Sequence, residues 1–295
     1  MKIGNVAWGW TSTPEDMPQG DSLLQITKSI ADLGFDLIDY LVTYESLDEW
    51  FTKENSKRLG DYAREKGLTP GVLVFQNASW TALEENERSA HMEYFKRCVE
   101  TAERIGCTMI SCILPMPTGA TPWYFNPQAP AIKQGFRMPS DYSYRKDWDL
   151  LIQGLSKASD FAAEAGIKTV VECFPHSLVS TPHAMLKMIE DVNRPNFGIQ
   201  FDTNHMIYQR IDPEYAVCIV GAENILNVHL KDSDAMTRNN LPPGTGILDY
   251  TSFLNTLKNI GYKGNCSIEV EFTDNPRRYV RQALEHVRLC MAGEY

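Results

Sequence analysis

The chain has 295 residues, 43% hydrophobic and 22% charged, a make-up that supplies a full globular core and excludes a disordered or fibrous protein. Its formal charge of −10 repels polyanions, so neither nucleic acid nor an anionic membrane is an expected partner; the one basic cluster, Arg277-Arg278-Tyr279-Val280-Arg281, reads as the solvated start of a helix. Seven cysteines without close pairing fit neither a zinc ribbon nor a disulfide scaffold, and an N-terminus that enters a strand pattern at once carries no leader peptide, so a cytoplasmic location is expected.

In chain order, compact apolar runs near 3–8, 35–42, 70–75, 109–114, 168–173, 197–202, 225–230 and 266–271 predict strands. Amphipathic patterns near 21–33, 54–66, 84–105, 146–165, 181–191, 212–221, 250–260 and 275–291 predict helices between and after them, with cap candidates at Ser180-Thr181-Pro182 and Asp249. Five helix-to-strand junctions share a glycine (Gly34, Gly67, Gly106, Gly166 and Gly261) where a left-handed residue closes a helix. Apolar strands alternating with helices belong to a parallel sheet covered on its outer face, and eight such units close a barrel. The expected fold is therefore α/β, a (β/α)8 TIM barrel in one domain over 1–295. An open doubly wound sheet is the competing architecture. The lack of a G-x-G-x-x-G fingerprint after the first strand weighs against it and against a nucleotide cofactor. Two long connections, near 115–145 and 232–249, follow strands and so belong at the barrel mouth, as pocket walls, subunit contacts or plain surface loops.

The last four strands each close an apolar segment with a polar residue: Glu172 in Val170-Val171-Glu172-Cys173, Asp202 in Gln200-Phe201-Asp202-Thr203, His229 in Asn227-Val228-His229-Leu230, and Glu269 in Ser267-Ile268-Glu269-Val270. Consecutive strands bring these side chains around one half of the mouth. An unpaired buried carboxylate costs on the order of several kcal/mol or takes up a proton, so three of them beside an imidazole require a cation. Three carboxylates and one histidine suit one divalent metal ion, Mn²⁺ first, with Mg²⁺, Co²⁺ or Zn²⁺ as alternatives, and leave positions for two substrate oxygens. Taken singly, each residue also has a structural reading, since an acid can cap the next helix and a histidine can be a satisfied core group; the run of four is what points to a site.

At these residues the sequence resembles the xylose-isomerase-like TIM barrel superfamily, in its sugar isomerase and epimerase branch of ketose 3-epimerases, inosose dehydratases and hydroxypyruvate isomerases. The specific portion is Asn196-Phe197-Gly198-Ile199-Gln200-Phe201-Asp202-Thr203-Asn204-His205, Asn227-Val228-His229-Leu230-Lys231-Asp232, Pro243-Gly244-Thr245-Gly246-Ile247-Leu248-Asp249-Tyr250 and Gly261-Tyr262-Lys263-Gly264-Asn265-Cys266-Ser267-Ile268-Glu269. The resemblance implies that Glu172, Asp202, His229 and Glu269 hold the metal and that His205 binds a substrate oxygen. It also implies that Glu172 and Glu269 act as base and acid on the carbon beside a carbonyl, through an enediolate, in isomerisation or epimerisation of a small sugar or keto-polyol. The choice of Glu269 over Glu271 rests on that resemblance alone, because both lie on one face of a strand.

The chain departs from the ketose 3-epimerase pattern in two places. Leu178 stands where a second glutamate is expected, and Arg238 lies beyond the expected position of a substrate-binding arginine after the strand-seven histidine. In their stead His176, four residues past Glu172, is a candidate acid or base, with a helix-capping or surface role as its alternative. An extra imidazole suits elimination, so a lyase on the same scaffold, a keto-polyol dehydratase or a C-glycoside or keto-glycoside cleaving enzyme, is the second reading; a non-catalytic binding subunit is a distant third. Trp8, Trp10, Trp123 and Tyr124 are candidates for stacking on a sugar ring, for core packing or for a contact within a homo-oligomer. His91, His183 and His286 read as solvated or structural.

Overall fold

Each of the five junction glycines takes a left-handed backbone, with φ between 69° and 91°, and a strand starts shortly after each. A computed structural model describes every residue except 14–15, 77–79, 125–134, 237–239 and 295, and describes the backbone alone at 121–124 and 135. The strands are β1 (Ile3–Val6), β2 (Leu37–Val42), β3 (Thr69–Phe75), β4 (Met109–Ile113), β5 (Thr121–Tyr124), β6 (Gly135–Arg137), β7 (Lys168–Glu172), β8 (Phe197–Asp202), β9 (Ile225–Leu230) and β10 (Asn265–Ile268). Eight of them close a parallel barrel in the order β1-β10-β9-β8-β7-β4-β3-β2, and β5 and β6 form a separate antiparallel hairpin.

The helices are α1 (Ser22–Leu33), α2 (Tyr44–Glu49), α3 (Lys53–Glu65), α4 (Glu85–Ile105), α5 (Tyr144–Glu164), α6 (Pro182–Val192), α7 (Thr203–Tyr208), α8 (Pro213–Val220), α9 (Tyr250–Asn259) and α10 (Pro276–Ala292). The expected caps are present: Thr181 accepts from the Ala184 N–H and Asp249 from the Ser252 N–H. Three elements go beyond the sequence reading. The β5–β6 hairpin lies within the 115–145 connection, and the short helices α2 and α7 occupy stretches too brief for a 3.6-residue period to register.

Strand register divides the barrel interior into two unlike halves. Val6, Val72, Val74, Met109 and Val170, from β1, β3, β4 and β7, pack together as an apolar plug beneath Trp8. At corresponding depth β8, β9 and β10 turn inward the buried Gln200, Asn227, His229 and Ser267, paired across strands as Gln200 with Asn227 and His229 with Ser267. The larger core lies outside the barrel, between strands and helices, and includes Ile38, Leu73, Phe95, Leu155, Phe201 and Phe253.

Candidate active site at the barrel mouth

Parallel strands with helices returning outside them expose all their C-terminal ends on one face. Glu172 ends β7, Asp202 ends β8, His229 is the penultimate residue of β9, and Glu269 follows the last residue of β10, its N–H donating to Leu230 O. All four are buried. One ligand atom from each of Glu172, Asp202 and His229 lies within 4.8 Å of those of the other two. Glu269 stands outside that tight trio but joins it through His229, with 2.7 Å between its Oε2 and His229 Nδ1; Glu172 Oε2 is 3.6 Å from the same nitrogen.

Asp202 and Glu269 each divide their contacts between two oxygens. Asp202 Oδ1 accepts the His205 N–H and so caps α7, while its Oδ2 is buried without a hydrogen-bond partner. Glu269 Oε1 accepts from the Trp8 indole at 3.1 Å, while Oε2 faces His229 Nδ1 at 2.7 Å in an ion pair. The other ring nitrogen of His229, Nε2, is buried without a hydrogen-bond partner among the described residues. Buried polar atoms are almost always satisfied, so unsatisfied carboxylate and imidazole atoms converging on one point fit a shared cation. Glu172 is held more fully, by His205 Nε2 at 2.8 Å on Oε1 and by Gln200 Nε2 at 2.8 Å on Oε2, with Asn227 Nδ2 donating to Gln200 Oε1 behind it at 3.4 Å.

The electrostatics follow from burial and crowding. Burial pushes the Glu172 and Glu269 carboxyls up, but His205 and His229 outweigh it at Glu172, and Lys231 and His229 outweigh it at Glu269, so both lie below the usual carboxylate range. Burial pushes the His229 imidazole down, yet the charges of Glu269, Glu172 and Asp202 raise it to about 9. Glu271, buried beside Glu269, is raised to about 7.

A cavity of about 280 Å³ lies over the cluster, its lining including the polar Glu172, His205, Lys231, Glu269, Glu271 and Gln76 and the apolar Met17, Leu41, Val74 and Ile113. Trp8, Phe174, Pro175, Asn204, Tyr208 and Asn240 complete much of its wall. Larger clefts among the outer helices contain none of the four converging residues.

The structure thus brings together Glu172, Asp202, His229 and Glu269, with His205 and Trp8 at the same cavity. His176 is elsewhere: it has φ 71°, packs edge-on against Phe136 of β6 and Tyr208 of α7, and is absent from the described lining. Trp10 donates to Asn5 Oδ1 and packs against the core. Arg238 lies outside the described residues, as do the side chains of Trp123 and Tyr124. His91 is buried with its Nδ1 3.5 Å from the Tyr44 hydroxyl, His286 packs edge-on against Tyr250, and His183 is exposed.

Sequence reasoning missed Lys231, Gln200, Asn204 and Asn240. The signal for Lys231 was present, because it follows His229 by two residues and a strand repeats its facing every two. Asn240 carried none. It reaches the site from the long connection after β9, donating to Glu271 Oε2 and accepting from Asn204 Nδ2.

Among curated proteins, the chain is 26% identical over 163 residues to an inosose dehydratase of Geobacillus thermodenitrificans (strain NG80-2), covering 48% of this chain and 54% of that protein, so it spans about half the length of that relative. It is 23% identical over 293 residues to the L-ribulose-5-phosphate 3-epimerase UlaE of Salmonella heidelberg (strain SL476), covering 94% and 93%. The crystal structure of IolI protein with a bound zinc atom shares the fold at a TM-score of 0.76 and 17% identity, over 100% of this chain and 99% of that one. Residues 28–290 match the pattern of one family, and the chain belongs to it: the xylose isomerase-like TIM barrel family.

Proposed function

We propose that this protein is a divalent-metal-dependent isomerase or epimerase that moves a proton on the carbon beside the carbonyl of a small sugar or keto-polyol. The observation that carries the reading is the convergence of Glu172, Asp202 and His229, with Glu269 against His229, beneath a cavity, with Asp202 Oδ2 and His229 Nε2 buried and without a hydrogen-bond partner among the described residues. Glu172, Asp202, His229 and Glu269 would hold the ion. Mn²⁺ is the first choice for a set rich in carboxylate oxygen, and Mg²⁺, Co²⁺ and Zn²⁺ are the others to test. When bound, such an ion supplies Lewis acidity toward a carbonyl and its neighbouring hydroxyl.

The chain's own residues supply the rest. Glu172 and Glu269 come from β7 and β10, on different sides of the cluster, so a proton taken at one carboxylate and returned from the other would invert the carbon between them. His205 Nε2, bonded to Glu172 Oε1 and lining the cavity, is the substrate-oxygen donor of the reading and fixes the carboxylate it touches. Trp8 closes the cavity beside Glu269 and Glu271. His176 backs Tyr208, which lines the cavity, and in this reading holds that side chain in place.

A second reading, a lyase releasing water or an aglycone, draws support from Met17, Leu41, Val74 and Ile113 in the cavity lining, whose apolar side chains, with Gln76 as a polar neighbour, suit an apolar substituent on a keto-glycoside. Incubation with Mn²⁺ in D₂O and a panel of ketoses, inososes and 3-keto-glycosides separates the two. Deuterium uptake at constant carbon skeleton supports the isomerase; release of water or aglycone supports the lyase. Glu172→Gln should lower kcat by about 10²-fold or more with any accepted substrate. Retained turnover in that variant would remove Glu172 from the chemistry, whereas no turnover on the panel together with no metal uptake would leave the binding subunit as the remaining account.

A further inference from the structure

A lysine lies inside the acid cluster. Lys231 is 4% exposed, and its Nζ stands 2.8 Å from Glu269 Oε1, 3.4 Å from Asp202 Oδ2 and 3.6 Å from Glu271 Oε2. Thr203 at the start of α7 fixes the backbone that carries it, its hydroxyl accepting from the Lys231 N–H at 3.0 Å and lying 2.6 Å from the Lys231 carbonyl oxygen. An ammonium is a compact, strongly hydrated charge, and burying one is unfavourable unless carboxylates surround it; here three do. The effect on Glu269 is specific. Its Oε1 is taken by two donors, Lys231 and the Trp8 indole, which leaves Oε2 to face His229 Nδ1 at 2.7 Å in the cluster.

We propose that Lys231 is a positioning residue and resident counter-cation of the metal site. It fixes Glu269 by one oxygen, and its charge keeps Glu172, Asp202, Glu269 and Glu271 assembled before a divalent ion arrives. The proposal rests on the metal reading above. It has a consequence of definite sign: an ammonium and a divalent ion attracted by the same carboxylates repel each other, so Lys231 stabilises the metal-free protein while weakening its affinity for metal. A residue that merely packed the barrel mouth would not trade one for the other.

The test titrates metal-free, full-length protein with MnCl₂ by calorimetry and follows thermal unfolding with and without Mn²⁺. Lys231→Met should lower the unfolding midpoint of the metal-free protein and tighten Mn²⁺ binding about tenfold or more. Lys231→Arg, which keeps the charge, should stay within about threefold of wild type. Glu271→Gln should weaken Mn²⁺ binding, and the Lys231→Met/Glu271→Gln double variant, with the charge balance restored, should return close to the wild-type constant. Should Lys231→Met not fold without metal, refolding from urea reads the same quantity: recovery that depends on Mn²⁺ in the Met variant and not in the Arg variant supports the proposal. A folded Lys231→Met with unchanged or weaker Mn²⁺ binding overturns it, as does failure to refold even with Mn²⁺. Wild-type protein that takes up no Mn²⁺ sinks the metal reading itself, whereas normal wild-type binding without a gain in the Met variant sinks only the role of Lys231.

Discussion

Asp202 shows how a structural and a functional role coexist in one side chain, the two divided between its oxygens: Oδ1 caps α7 and Oδ2 faces the cluster. From sequence those roles look like rivals, which is why the run of four strand ends was legible and the division within each carboxylate was not. Asp39 has a related split. Its Oδ1 accepts the Val72 N–H at 2.7 Å, at the irregularity between β2 and β3, while Oδ2 is buried without a hydrogen-bond partner. Burial pushes its carboxyl up, against the charge of His229 and the hydrogen bond from Val72. A carboxyl raised in the fold binds more protons folded than unfolded, so its contribution is most favourable below its unfolded value of roughly 3.9 and declines as pH climbs toward the raised one. Asp39→Asn keeps the Val72 contact and removes the decline. Its unfolding midpoint at pH 7 should exceed that of wild type, with the gap closing near pH 4; a lower midpoint at both pH values would refute this account.

Among the elements, the long connection after β9 is built around one buried side chain. Asp232 accepts from the N–H groups of Ser233 and Leu248 through Oδ1 and of Gly244 and Gly246 through Oδ2, and its backbone bridges to Leu241 in both directions. Gly246 sits so close that an added Cβ would lie 2.2 Å from Asp232 Oδ1 and 2.4 Å from Ser233 O. This folded loop delivers Asn240 to Glu271. Asp232→Ala should cost about 3 kcal/mol in urea unfolding and open the 232–249 segment to limited proteolysis, and Gly246→Ala should do so to a lesser degree. Insensitivity of that segment to protease in both variants would show that Asp232 does not organise it. The sequence marked the connection as long; it held no sign that one carboxylate organises it, because hydrogen bonding to distant N–H groups has no period.

For the whole molecule, eight strands and the principal helices were readable because apolar runs, amphipathic periods and junction glycines repeat the same physics in every unit. The asymmetry of the interior was readable only in part, through the strand ends at Glu172, Asp202, His229 and Glu269; the layer of Gln200, Asn227 and Ser267 beneath them depends on which way each strand faces. The barrel closes where β1 meets β10, and just past those strands a Cβ on Gly9 would lie 1.9 Å from Val270 O, the carbonyl between Glu269 and Glu271. Gly9→Ala should therefore lower stability by about 2 kcal/mol or more and also weaken Mn²⁺ binding, as read by calorimetric unfolding and metal titration. Loss of stability with an unchanged metal constant would show that the seam and the acid cluster are independent.

That seam joins the two ends of the chain, with Ile3 registered against Cys266 and the Trp8 indole bonded to Glu269. A nascent polypeptide therefore carries Trp8 long before it can give the indole its acceptor, which must wait until the segment after β10 has emerged. The acid cluster is completed by the slowest kind of contact, one between residues 261 apart in sequence, so fragments that stop short of β10 should be unable to assemble it.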